Sequence, residues 1–345
     1  MKAFQFVELQ KPAELREVKV PEPGPGQVLI KIGGAGACHS DLHILEAPTG
    51  ALSFSLPFTL GHENAGWVEE LGSGATGFAV GDAVLVYGPW GCGSCSNCRV
   101  GMENYCENPG QSKPGGLGRD GGMANYMLVP STRFLLPLGT LDPREAAPLT
   151  DAALTSYHAV KRSIQLLGPG STAVVIGAGG LGQMAIQVLK ALSAAATVVA
   201  VDTSPAKLET AKLMGADETL LSGADAVQRV KEITRGQGAN VVLDMVGVTP
   251  TLEMAVQISR VLGHVTIVGI GGGALPVNFH SPAKECSVAS PYWGSIPELM
   301  EVISLAQAGK IKMLVEQFPL ERASEAYHLL HDGMIQGRAV IVPNG

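Results

Sequence analysis

Four cysteines, Cys92, Cys95, Cys98 and Cys106, stand within fifteen residues in the spacing C-x2-C-x2-C-x7-C. Four thiolates so close together wrap one Zn2+ tetrahedrally and fill every position, so the segment reads as a structural metal lobe. The first three also match the opening of an iron–sulfur run, in which the fourth cysteine follows three residues later and precedes a proline. Here the gap is seven residues and Glu107 follows, which favours zinc. A second group combines Cys38 with His62 and Glu63. A thiolate, an imidazole and a carboxylate would hold zinc with its fourth position open to a substrate. Taken singly, Cys38 reads equally well as a small buried residue and His62 as a loop histidine.

A third group is Gly177-Ala178-Gly179-Gly180-Leu181-Gly182, which fits G-x-G-x-x-G. A chain with 44 glycines produces such matches by chance. This one follows the apolar run Thr172–Ile176 and opens a helix, and Asp202 ends the next strand twenty residues after Gly182. That context makes it a dinucleotide site. Gly177 permits the tight turn, Gly179 lets the backbone approach a pyrophosphate, and Gly182 lets helix and sheet close up. The helix N-terminus then faces the phosphates. Asp202 would accept both adenosine ribose hydroxyls and repel a 2′-phosphate, and Thr203 and Ser204 supply no arginine to receive one. NAD is therefore favoured over NADP. Asp202 as a cap for a helix starting near Pro205 is the plainer reading, and both can hold.

The elements that must position these groups fall into three textures. Up to about Thr150 the chain shows short β-type runs, such as Val28–Ile32 and Ala83–Tyr87, separated by turn signals such as Pro23-Gly24-Pro25-Gly26. This reads as an antiparallel, barrel-like domain. From about Ala152 to Pro276 strands alternate with helices: Thr172–Ile176, a helix through Leu192, Val198–Val201, a helix closing at Gly215, then Val241–Leu243 and Val265–Val268. Such alternation implies a parallel doubly wound sheet. Beyond about Ala283 the first texture returns, with a helix over 297–308. The expected organisation is α/β: a β-rich domain of residues 1–150 and 284–345 with a nucleotide-binding domain, 151–283, inserted into it.

The 345 residues suit two domains, and 46% hydrophobic with 16% charged residues reads as a compact soluble enzyme. The formal charge of −7, with no cluster of Lys and Arg, argues against a nucleic-acid partner. The most apolar stretch, 173–201, is broken by four glycines of the turn and carries Lys190, so it is no membrane span. No secretion signal is evident, and the cytoplasm is the expected location.

Cys38-His39-Ser40-Asp41, Gly61-His62-Glu63-Asn64-Ala65-Gly66, the four-cysteine lobe and the Gly177–Gly182 turn occur here in one order. That order resembles the zinc-containing medium-chain alcohol dehydrogenases over essentially the whole chain. Tyr87-Gly88-Pro89-Trp90-Gly91-Cys92, Pro148-Leu149-Thr150-Asp151-Ala152 and Pro291-Tyr292-Trp293-Gly294 look like its bacterial secondary-alcohol dehydrogenase and phenylacetaldehyde reductase branch. The resemblance implies a GroES-like catalytic domain around an inserted Rossmann domain, NAD, and two Zn2+ per chain. The catalytic zinc would be held by Cys38, His62 and Asp151. Many relatives have a cysteine at the third position, but a carboxylate is a competent ligand. Its plainer reading is a helix N-cap. Glu63 is expected beside the metal without being a settled ligand.

The same resemblance implies a mechanism. The ion would lower the pKa of an alcohol oxygen, and hydride would pass from the carbinol carbon to the nicotinamide. Ser40 would take the hydroxyl proton and His43, one helical turn on, would act as terminal base, because imidazoles titrate near working pH. His43 as a solvent-facing helix residue is the alternative. Arg338 resembles an arginine that meets the pyrophosphate, and Lys207 one that meets the adenosine ribose; a surface ion pair and a solvated lysine are the plain readings. Gly180, Leu181 and Val268 complete the expected cofactor contacts. Phe54, Leu117, Tyr292 and Trp293, with His280 across from them, are nominated for the substrate pocket. Aromatic and aliphatic walls suit secondary and aryl carbinols, and some primary alcohols, better than a polyol.

Three other readings compete: a polyol or sugar dehydrogenase on the same scaffold, a zinc-free quinone reductase, and a non-enzymatic zinc-stabilised NAD-binding protein. The quinone reductase would lack the cysteine lobe and the Cys38–His62 pair. A homodimer or homotetramer is expected from the resemblance, and no local pattern separates the two.

Overall fold

The structure, a computed structural model, describes residues 1–48, 55–108 and 113–345. The chain forms two compact units, one of Met1–Asp151, Ser295–Gln307 and Met313–Gly345, the other of Ala152–Gly294 and Ala308–Lys312. The first unit is β-rich. Its larger sheet runs in the order Val315–Pro319, Arg338–Val342, Val28–Ala37, Glu63–Leu71, Ala83–Val86, Leu135–Pro137, with Tyr126–Val129 also paired to Val28–Ala37. A three-stranded sheet of Glu14–Glu17, Lys2–Phe6 and Phe58–Thr59 completes it. The unit is not purely antiparallel, because Val315–Pro319 and Arg338–Val342 pair in parallel. These two strands come from the tail, and Arg338–Val342 lies against Val28–Ala37 from the start of the chain.

The second unit is a six-stranded sheet, all parallel, in the order Glu218–Leu221, Thr197–Asp202, Thr172–Ile176, Ala239–Asp244, Ser259–Ile267, Ser287–Ala289. That order is the doubly wound arrangement that binds dinucleotides. Its strands are apolar runs rather than alternating ones because helices cover both faces of such a sheet. Val174, Val199, Val201, Val242 and Val265 are wholly buried in one cluster with Ala255. Strand Ser287–Ala289 pairs with Ser259–Ile267, so residues 287–289 extend this sheet and the chain rejoins the first unit at Ser295. The sequence places that return near 284. The predicted helices appear as Pro205–Leu213 and Ile296–Gln307, and Gly215 adopts φ +105° just past the first. Among the described residues, no helix is long and apolar enough to cross a membrane.

Candidate metal and nucleotide sites

Three segments of the first unit bring the open metal group together. Strand Val28–Ala37 runs into Cys38, which begins the short helix His39–Leu45. His62 precedes strand Glu63–Leu71, and Asp151 follows a single 3-10 turn over Ala147–Thr150. Cys38 Sγ lies 3.8 Å from Asp151 Oδ2, and His62 Nε2 lies 3.4 Å from the same oxygen. All three donor atoms are within 4.8 Å of one another. Zinc–ligand bonds of about 2.0–2.3 Å imply tetrahedral edges of about 3.3–3.8 Å, so the spacing and the donor chemistry fit zinc. Asp151 points its carboxylate at the other two ligands, as the resemblance implies. Three protein ligands leave a fourth tetrahedral position for an oxygen ligand.

A residue with no assigned role in the sequence reading aligns the histidine. The His62 Nδ1–H donates to Asp41 Oδ1 at 3.0 Å, which leaves Nε2 for the metal. Asp41 is wholly buried, and its Oδ2 also accepts the Cys38 N–H at 3.0 Å. Only the identity of the fourth residue in Cys38-His39-Ser40-Asp41 could have hinted at this, since a carboxylate behind a metal-binding imidazole fixes its tautomer and orientation. Burial lowers the His62 pKa, but Asp41, Asp151 and Cys38 together hold it well above the ordinary histidine range.

Glu63 and Arg338 form the wall behind the ligands. Arg338 Nε and Nη2 donate to Glu63 Oε2 and Oε1 at 2.9 and 2.5 Å, and Nη2 reaches Asp151 Oδ2 at 3.4 Å. Gly36 faces Glu63 across the paired strands, and a Cβ on Gly36 would collide with the glutamate carboxylate. Burial pushes Glu63 above the usual carboxylate range against the pull of Arg338. Burial opposes the charge on Arg338, yet Cys38, Glu63 and Asp151 hold its pKa well up. Arg338, expected at a pyrophosphate, is 4% exposed, and its fork is taken by Glu63. Ser40 Oγ sits 3.6 Å from Cys38 Sγ, and His43 is exposed on the same short helix.

The four-cysteine lobe is a separate cluster. Cys92, Cys95, Cys98 and Cys106 place their sulfurs within 4.8 Å of one another, with Cys92 and Cys98 3.9 Å apart, close to the edge of a Zn–S4 tetrahedron. Hydrogen bonds from Ser94, Asn108 and the Cys95 N–H lower Cys92 to about 5. Burial pushes the Cys98 thiol up to about 12. Glu103, wholly buried within the lobe, is paired with Arg133.

In the second unit Gly177 takes φ +92°, and a Cβ on Gly182 would strike the Gly177 carbonyl. Gly179 begins helix Gly180–Leu192 with no side-chain cap, and nothing lies within 4 Å of where its Cβ would be. The turn thus presents free backbone N–H groups and open space, which fits a pyrophosphate. Asp202 accepts the Ala178 N–H at 2.7 Å and the Ser204 N–H at 2.8 Å. Ser204, not Asp202, caps helix Pro205–Leu213, with its Oγ accepting the Lys207 N–H. Val268 follows strand Ser259–Ile267, its N–H donating to the Asp244 carbonyl.

Of the residues nominated for a substrate, Leu117 is in the first unit, on a loop whose Gly116 lies against Gly61. His280, Tyr292 and Trp293 are in the second unit; Trp293 is 6% exposed and packs edge-on against the half-exposed Tyr292. Phe54 lies outside the described residues.

Residues 24–140 match the family described as alcohol dehydrogenase GroES-like domain, and residues 180–308 the family described as zinc-binding dehydrogenase. The chain is 40% identical to an NAD-dependent alcohol dehydrogenase of Sulfurisphaera tokodaii, over 99% of this chain and 100% of that one. It is 36% identical to a D-arabinose 1-dehydrogenase (NADP(+)) of Saccharolobus solfataricus, over 99% and 97%. A solved structure of acetophenone reductase from Geotrichum candidum in complex with NAD superposes with a TM-score of 0.86 at 31% identity, over 99% and 96%.

Proposed function

The chain belongs to the zinc-binding medium-chain alcohol dehydrogenase family, and from that premise we propose that it interconverts secondary alcohols, aryl carbinols among them, with ketones, and some primary alcohols with aldehydes, using NAD(H). The convergence of Cys38 Sγ, His62 Nε2 and Asp151 Oδ2, apart from the closed cysteine cluster, carries this reading. When bound, the divalent ion supplies Lewis acidity toward a carbinol or carbonyl oxygen, and the nicotinamide supplies or accepts hydride.

The chain's own residues do the rest. Ser40 Oγ, beside Cys38, accepts the hydroxyl proton as it gives up its own, and the exposed His43 is the terminal base that passes the released proton to water. Asp41 keeps the imidazole of His62 aimed, and the Arg338–Glu63 pair holds Asp151 in place. Gly177, Gly179, Gly180, Leu181 and Gly182 bind the pyrophosphate through backbone, with Asp202, Lys207 and Val268 on the rest of the cofactor. Asp202 supports NAD over NADP. Leu117, Tyr292 and Trp293 are assigned as apolar contacts to the substrate, and His280 as a polar one.

The relative named for D-arabinose favours a second reading, a sugar or polyol substrate. One substrate panel separates the two. The purified protein is expected to carry two zinc ions per chain and to oxidise 1-phenylethanol with NAD faster than sorbitol or D-arabinose. A higher kcat/KM on the sugars would replace the first reading by the second. One zinc per chain, with no ketone reduced by NADH, would overturn both.

A further inference from the structure

The chemistry above makes no use of the buried phenol of Tyr327. Tyr327 belongs to helix Ala323–His331 near the end of the chain, 286 residues from Asp41, yet its Oη donates to Asp41 Oδ2 at 2.8 Å. The other neighbour of the hydroxyl is Met123 Sδ, at 3.3 Å. A phenol has one proton to give and a thioether is a weak acceptor, so the proton belongs to the carboxylate. Burial first, and the Asp41 charge second, push the phenol well above its ordinary pKa, so it stays a donor.

Asp41 therefore serves three donors, the Cys38 N–H and Tyr327 O–H at Oδ2 and the His62 Nδ1–H at Oδ1. The Cys38 N–H ties the carboxylate to its own helix turn, while Tyr327 holds it from a different element. The Tyr327 ring stacks on Phe4 at 5.9 Å, so ring and hydroxyl have separable duties: the ring packs, and the hydroxyl touches the site.

We propose that Tyr327 is a positioning residue for the reactive metal: its hydroxyl locks Asp41 in the orientation that presents Oδ1 to His62 Nδ1, and thereby aims His62 Nε2 at the ion held with Cys38 and Asp151. The inference rests on the metal reading of those three ligands. Outer partners of metal-binding histidines carry roughly 10–100-fold of metal affinity, which sets the size of the effect sought.

The test uses the full-length, zinc-loaded protein and its Tyr327→Phe variant, which keeps the ring. Zinc transfer to a colorimetric chelator is expected to show two phases, one for each site. Tyr327→Phe should speed the reactive-site phase about tenfold and leave the cysteine-lobe phase alone. It should also shift the visible spectrum of Co2+ introduced at the reactive site. In an Asp41→Asn background the same change should add nothing. Equal release rates and superimposable cobalt spectra overturn the proposal even if the thermal midpoint falls, because lost packing alone lowers a midpoint without moving those signals. Effects of Tyr327→Phe and Asp41→Asn that multiply overturn it too, since Tyr327 would then not act through Asp41. A failure of the underlying metal reading looks different: the parent protein would carry one zinc per chain and release it in a single phase.

Discussion

Arg338 forks onto the wholly buried Glu63 and also reaches Asp151, so its removal strands the Glu63 carboxylate away from water. Breaking one side of a buried pair costs about 3–5 kcal/mol. Arg338→Met should lose about that much in a denaturant titration, and adding Glu63→Gln should recover much of it, because the stranded charge is then gone. His43→Gln should slow NAD-linked alcohol oxidation several-fold near neutral pH and less at high pH, where hydroxide takes the proton unaided; an unchanged rate and pH profile would dismiss the proton route. At this scale the sequence was most informative about donor atoms. Cys38, His62 and Asp151 have side chains that bind metals, and family order locates them. The partners of those donors were not legible. Asp41 lies three residues from a ligand, but nothing in that spacing says which imidazole nitrogen it meets. Arg338 lies 275 residues from Glu63, and the two meet because strands Arg338–Val342 and Glu63–Leu71 both pair with Val28–Ala37.

Strand Ser259–Ile267 carries a histidine that ties its pH response to the neighbouring strand. His264 Nδ1 lies 2.7 Å from Ser287 Oγ, and its Nε2 is buried with no partner among the described residues. Burial, with Arg162 adding a like charge, lowers its pKa below the ordinary value of 6.5. Below about 6.5 the unfolded chain therefore takes a proton that the folded one refuses. Stability is present above that pH and is lost as pH falls toward the lowered folded value. Urea unfolding at pH 7.5 and 5.5 should show a loss on acidification that shrinks in His264→Gln. For the cysteine lobe, Cys106→Ser should release one zinc per chain and lower the thermal midpoint, while Cys38→Ser should release the other ion; loss of the same ion from both variants would merge the two sites. The elements themselves were largely readable, because parallel strands buried on both faces are unbroken apolar runs. The return of the chain was not: residues 287–289 have the composition of either sheet, and only their pairing with Ser259–Ile267 assigns them.

Strand Ser287–Ala289 ends the six-stranded order, and the same unit carries exposed apolar side chains: Leu262 at 61%, Val277 at 67% and Phe279 at 87% exposed. A sheet edge and exposed apolar side chains on one unit both invite association with another chain. The homo-oligomer expected from the sequence would have these residues as candidates for its contact. Phe279→Asp with Val277→Asp should give a smaller species by sedimentation than the parent protein; an unchanged mass would place the contact elsewhere. Neither dimer nor tetramer was legible from the sequence, since association depends on which apolar residues folding leaves outside.

The two metal groups also differ in how much of the chain each needs. All four sulfurs of one lie within fifteen residues, whereas the other joins residues 113 apart and leans on an arginine 187 further along. A chain emerging from the ribosome can close the first as soon as Cys106 is out, but keeps Glu63 and Asp151 without their countercharge until its last strand docks. The expected order of metal loading during synthesis is therefore lobe first and working ion last: nascent chains stalled before Arg338 should carry one zinc rather than two by metal analysis, and two zinc ions on such chains would show that the order does not hold.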